Sequence, residues 1–106
     1  MSSSHQISID VATDEQGRKV LVTSGDLDLR TAPELRRQID RAAEPGEDLV
    51  IDLHQITFID SPGLGTLIHC DRVRRERGGH LVLKSPSGAV RDLFEMVRLA
   101  DVIEIE

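Results

Sequence analysis

The sequence predicts an α/β fold, a mixed β-sheet of four to five strands with three to four helices packed against it. Three observations predict it. Alternating hydrophobicity near the N-terminus is followed by a second apolar run, which reads as a hairpin. Beyond the hairpin, helical patterns alternate with short strand-like runs. One of those runs, Leu49-Val50-Ile51-Asp52-Leu53, is apolar almost throughout, as a central strand buried on both faces requires.

The elements follow in order. Ile7, Ile9 and Val11 share one face of a first strand, with Ser8 and Asp10 on the other. Asp14-Glu15-Gln16-Gly17 is a turn, and Val20-Leu21-Val22 returns as the second strand. Thr31 opens a helix, with Glu34 placed to complete a capping box. Leu35, Ile39 and Ala42 form its apolar stripe, and Glu44-Pro45-Gly46 ends it. The central strand is continued by Ile56–Ile59 to the abrupt turn Asp60-Ser61-Pro62-Gly63. There a second helix begins, with Ser61 as N-cap and Pro62 as the first helical residue. Leu64, Leu67 and Ile68 face inward, while Asp71 to Arg77 reads as a solvated polar face. Gly78-Gly79 stops the helix. Leu81-Val82-Leu83 is a buried strand, and Ser87 can cap a third helix carrying Val90, Leu93, Phe94 and Val97. Val102 to Ile105 adds an edge strand.

The 106 residues amount to one domain, 1–106, in which residues 1–5 are expected to fray. There is no Trp or Tyr and only two Phe, so the core is aliphatic. Nineteen acids against thirteen Lys and Arg give a net charge of −6. That charge, without stacking aromatics, argues against nucleic-acid binding. The basic cluster Arg72, Arg74, Arg75 and Arg77 reads as a solvated helix face rather than a nucleic-acid patch. No apolar run approaches a membrane span, and Met1-Ser2-Ser3-Ser4-His5 does not resemble a signal peptide. A lone cysteine, Cys70, forms no internal disulfide, and a cytoplasmic location is expected.

Few residues suggest chemistry. The histidines His5, His54, His69 and His80 are scattered, and adjacent His69 and Cys70 point about 100° apart on a helix. No metal site and no cofactor site is expected. A phosphate-binding Gly-x-x-x-x-Gly-Lys loop is absent, and no nucleophile has an activating base, so the chain does not read as an enzyme. Two segments remain. Gly25-Asp26-Leu27-Asp28 reads as a turn with two acids. Asp60-Ser61-Pro62-Gly63-Leu64-Gly65 joins a buried strand to a helix N-terminus, where free N–H groups and a partial positive charge face outward.

The order of these motifs carries a resemblance. Gly25-Asp26-Leu27-Asp28, Ala32-Pro33-Glu34-Leu35, Leu49–Leu53, Phe58-Ile59-Asp60-Ser61 and Gly63-Leu64-Gly65 together resemble the STAS family. The likeness is to its small bacterial members, the anti-sigma factor antagonists, and spans the chain from about Ile7 onward. It implies a STAS-like fold and a non-enzymatic binding switch. Such a domain binds an anti-sigma factor that is also a serine kinase, which frees a sigma factor. The kinase then phosphorylates a serine at the second helix start, and a phosphatase reverses this. The resemblance places partner contacts at Asp26, Asp28, Thr31, Asp60, Ser61, Pro62, Gly63, Leu64, Thr66 and Leu67. Gly63 and Gly65 would allow close backbone approach.

One departure stands out. The family pattern is Asp-Ser-Ser-Gly with the second serine as acceptor, and here that position is Pro62. Three readings follow. Ser61 takes over as acceptor, or the chain is an antagonist this switch does not turn off, or it is an unphosphorylated scaffold. The switch-free binder is favoured here, because an N-cap serine before proline turns its hydroxyl toward backbone N–H groups. A reading of another class is a subunit of a transport complex, docking on an ATPase partner.

Overall fold

The computed structural model describes residues 6–106, and the five residues expected to fray lie outside the described residues. Strands β1 (Ile7–Thr13) and β2 (Lys19–Leu27) form the hairpin. Helix α1 (Ala32–Ala42) leads to strand β3 (Leu49–Ile59), and helix α2 (Ser61–Glu76) to strand β4 (Leu81–Lys84). Helix α3 (Gly88–Met96) and a short 3-10 turn, Leu99–Asp101, lead to strand β5 (Glu104–Ile105). Order in the sheet is order in the chain: β1 is antiparallel to β2, and the remaining pairings are parallel. This is the mixed five-stranded sheet that the hydrophobic pattern predicts.

Each parallel connection moves one strand in the same direction. Right-handed crossovers of that kind place all their helices on one face. The packing agrees. Leu35 and Ile39 of α1, Leu67 of α2, and Val90 and Phe94 of α3 share one core with Leu21, Ile51, Leu53 and Leu83 of the sheet.

The opposite face carries a separate cluster, Val20, Val50 and Val82, which is nonetheless buried. Arg18 lies two residues before Val20, so it shares that face. Its Nε donates to Asp14 at 2.8 Å, and its two terminal nitrogens donate to Glu106 at 3.1 and 3.2 Å. Asp14, Arg18, Lys84 and Glu106 line one hollow there. The hairpin tip therefore reaches over the helix-free face to the far edge of the sheet. The central strand is buried on both sides, as its composition predicts, with helices on one side and the hairpin's charged arm on the other.

Some local expectations are corrected. Val11 is exposed, because the helical layer stops short of the hairpin end of edge strand β1. Val97 is also exposed, because α3 ends one residue before it. Ser87 occupies the α3 N-cap but makes no side-chain cap, and its hydroxyl donates to the His54 carbonyl at 3.3 Å. The second half of α2 is not a solvated face throughout. Asp71 and Arg74 are only 2% and 3% exposed. Asp71 accepts from the Leu81 N–H at 3.0 Å and from Arg75 Nε at 2.8 Å, so a buried carboxylate ties α2 to the start of β4. The i, i+3, i+4 stripe did not disclose this, because the residues concerned are polar.

Pairing with Arg18 holds the Glu106 carboxyl below the ordinary glutamate range. A depressed carboxylate stabilises the fold above its unfolded pKa, and that contribution is lost as pH falls through the folded value. Arg18→Ala should lower unfolding free energy at neutral pH by about 1 kcal/mol, as the arm over the valines is lost. Glu106→Gln should be destabilising at neutral pH and converge on wild type in acid. Urea unfolding at the two pH values checks both.

Candidate functional site

Two chain reversals meet at the carboxyl edge of the sheet. β2 ends at Leu27 and β3 at Ile59, and these residues are register partners. The Asp60 N–H donates to the Leu27 carbonyl at 3.2 Å, so the turn after β2 and the start of α2 lie side by side.

The turn after β2 is a closed local network. The Thr31 N–H donates to Asp28 Oδ1 at 3.1 Å, and the Asp28 N–H donates to Thr31 Oγ1 at 2.9 Å. That reciprocal pair is a capping box, set one turn earlier than the Thr31–Glu34 box that the sequence predicts. The Arg30 N–H also donates to Asp28 at 2.9 Å, and the Thr31 hydroxyl donates to the Asp26 carbonyl at 2.8 Å. Glu34 is engaged along α1 instead, with Arg37 and Gln38. Asp28 and Thr31 are both buried. They are not solvated acids or exposed contacts: they fix the turn's shape.

The α2 N-cap is Asp60, not Ser61. One Asp60 oxygen accepts from the Gly63 N–H at 2.8 Å, and the other from the Leu29 N–H at 3.1 Å. A single carboxylate thus caps α2 and pins the neighbouring turn. Ser61 and Pro62 become the first two helical residues, and both are exposed. The Ser61 hydroxyl makes no hydrogen bond among the described residues. The expected turning of that hydroxyl toward the backbone is therefore absent, because the longer aspartate one residue earlier takes the capping role.

Gly63 is buried against the protein itself. A Cβ there would sit 2.3 Å from the Leu27 carbonyl oxygen. The close approach expected of this glycine is made to β2, while Gly65 faces open space. Leu67 is fully buried in the core. Asp26, Asp60, Leu64 and Thr66 are partly exposed, and Asp26 accepts from the Thr57 hydroxyl at 3.2 Å. Two residues the sequence reading missed complete the rim: Leu29, 69% exposed, and Phe58, 49% exposed. Their signal was faint, a leucine inside a charged turn and one of only two aromatics standing at a strand end.

Elsewhere the titratable groups are structural in character. His54 pairs with Asp52 at 2.7 Å, and His80 bridges Asp48 at 3.0 Å and Glu104 at 2.7 Å. Burial, and then the charge of Asp40, pushes the Cys70 thiol up to about 11, away from thiolate chemistry. Among the described residues no three His, Cys, Asp or Glu side chains converge as metal ligands. None of their helices is long and apolar enough to cross a membrane.

The rim therefore joins exposed apolar side chains to a rigidly capped backbone. The comparisons give its family. The sequence model described as "Mlab, STAS domain" matches residues 11–104. The chain is 34% identical over 99 residues to the anti-sigma-B factor antagonist of Bacillus subtilis (strain 168), covering 93% of this chain and 90% of that one. It is 32% identical to the anti-sigma-B factor antagonist of Listeria monocytogenes, covering 94% and 89%. A crystal structure of an anti-sigma factor antagonist from Mycobacterium paratuberculosis superposes with a TM-score of 0.82 at 26% identity, covering 99% and 89%. This chain belongs to the STAS-domain family.

Gly63→Ala should destabilise the fold by about 1–3 kcal/mol, because the methyl meets backbone that does not yield. Gly65→Ala should be neutral or stabilising, since it adds a helix former in open space. Asp60→Ala should cost about 1 kcal/mol through the lost cap. Chemical denaturation of the three variants checks the opposite signs expected of the two glycines.

Proposed function

We propose that this chain is an anti-sigma factor antagonist: it docks on an anti-sigma factor of the serine-kinase type and so releases a sigma factor for transcription. The observation that carries this reading is identity to a named antagonist along almost the whole chain. The rim supports it. Leu29, Phe58 and Pro62 are exposed apolar residues near the ends of β2 and β3 and the start of α2, while Asp28, Thr31, Gly63 and Leu67 hold these segments in shape from within. The whole chain acts in the cytoplasm as one STAS domain, contributing contacts and no reaction of its own.

The phosphoserine switch is absent on this reading. Pro62 offers no hydroxyl. Ser61 does, but neighbouring helical positions point about 100° apart. A kinase site that aims its phosphate at the second helical residue is misaligned with the first. No phosphatase is then required to restore binding.

The test is co-purification with a serine-kinase anti-sigma factor from the same genome. Phe58→Asp and Thr66→Arg should each abolish capture while leaving the circular dichroism spectrum and unfolding midpoint near wild type. Capture that survives both variants moves the interface elsewhere. Capture by a transporter ATPase instead favours the transport-subunit reading. With kinase and ATP, wild type should take up no phosphate and Pro62→Ser should take up one, read by mass spectrometry. Phosphate on Ser61 of the wild type overturns the switch-free reading.

A further inference from the structure

A second surface lies beside the rim. α1 and α2 pack side by side and leave a groove between their outer faces. One half is lined by Pro33, Arg36, Arg37, Asp40, Arg41 and Thr66. The other is lined by Arg36, Asp40, His69, Cys70, Val73 and Arg77. Arg36 and Asp40 belong to both halves, so the groove is continuous.

Its charge opposes that of the whole molecule. Arg36, Arg37, Arg41 and Arg77 line it against one acid, Asp40, on a chain of net charge −6. Within the groove Arg37 pairs with Glu34. Arg36, Arg41 and Arg77 make no ion pair and no side-chain hydrogen bond among the described residues. Three guanidinium groups without an ion pair along one cleft, each able to grip a carboxylate bidentately, form a site for anionic groups.

We infer that the α1–α2 groove docks an acidic segment of a partner protein, one with carboxylates spaced along a helix face. Asp40 decides against a polyphosphate. It sits at the junction of the two halves, where a continuous row of phosphates would meet a like charge. A protein segment with spaced carboxylates can place a lysine or amide there instead. The walls point the same way. Pro33 and Val73 offer apolar contact, and neither Phe of the chain lies in the groove to stack a base. A flat membrane does not enter a cleft between two helices. This surface adjoins the rim proposed to bind the anti-sigma factor and shares Thr66 with it, but its arginines lie outside the rim, and the inference stands without that reading.

The test uses the intact chain, labelled with nitrogen-15, and a synthetic helical peptide with glutamates at i, i+4 spacing and one central lysine. Amide shifts should concentrate at Arg36, Asp40, His69, Val73 and Arg77. The triple variant Arg36→Glu, Arg41→Glu, Arg77→Glu should weaken binding by about tenfold or more. Should that variant fold poorly, the single changes Arg36→Gln, Arg41→Gln and Arg77→Gln should each weaken it several-fold. The inference is overturned if the groove amides do not move, or if the glutamine version of the peptide binds as well. Tighter binding of a single-stranded oligonucleotide or of phosphatidylglycerol vesicles to the same residues also overturns it. None of these measurements involves an anti-sigma factor, so they succeed or fail independently of the rim.

Discussion

β2 and β3 stay paired in parallel to the last residue of each strand, and the rim exists because of it. Leu27 lies opposite Ile59, so the turn beginning at Asp28 and the helix beginning after Asp60 leave the sheet as neighbours. Only then can one carboxylate accept from both Gly63 and Leu29. A slip of one residue would move Asp60 by about 3.3 Å and turn every inward side chain outward. The pairing is not a simple ladder. Register shifts interrupt it after Val22 and after Gly25, and β3 takes up the extra residues. The buried Thr23 bridges the first irregularity by donating to the Asp52 carbonyl at 2.7 Å.

The same parallel order divides the molecule into unequal faces. Right-handed connections consign the helices to one side, and an aliphatic core without Trp or Tyr forms there. On the other side, among the described residues, a hairpin tip and its arginine shield three valines. This solution costs little chain. Among the described residues no element covers the outer surfaces of α1 and α2, and those surfaces bear the basic groove.

Hydrophobic period made the five strands and three helices legible, because burial selects residue type at fixed intervals. Val11 and Val97 mark the limit of that logic. Period shows which face is apolar but not how far the covering layer extends. Polar structure was harder to read. Asp28, Asp71 and Arg74 look like surface residues in sequence, yet all three are buried. Asp28 and Asp71 accept largely from backbone N–H groups, which leave no trace in side-chain pattern. The caps at Asp28 and Asp60 were each misplaced, by one turn and by one residue, because several residues in each stretch are competent caps. At the site, the segments were identified from motif order, while Leu29 and Phe58 were not. Whether an isolated apolar residue points outward depends on the turn and the strand irregularity that carry it.

The rim's stiffness bears on how binding at it is controlled. Each cap is completed within the chain, so little freedom is left to lose on docking. A phosphate on a second helical residue would meet free N–H groups at a helix start, so the fold itself would tolerate it. Its effect in such a domain would fall on the partner contact, through charge and desolvation. Proline at that position takes away both the hydroxyl and one N–H, and it leaves the helix start intact because that N–H needs no intrahelical partner. On the switch-free reading, the substitution removes the chemical handle while leaving the helix start intact, and regulation passes to the amount of this chain and to the state of the protein it binds.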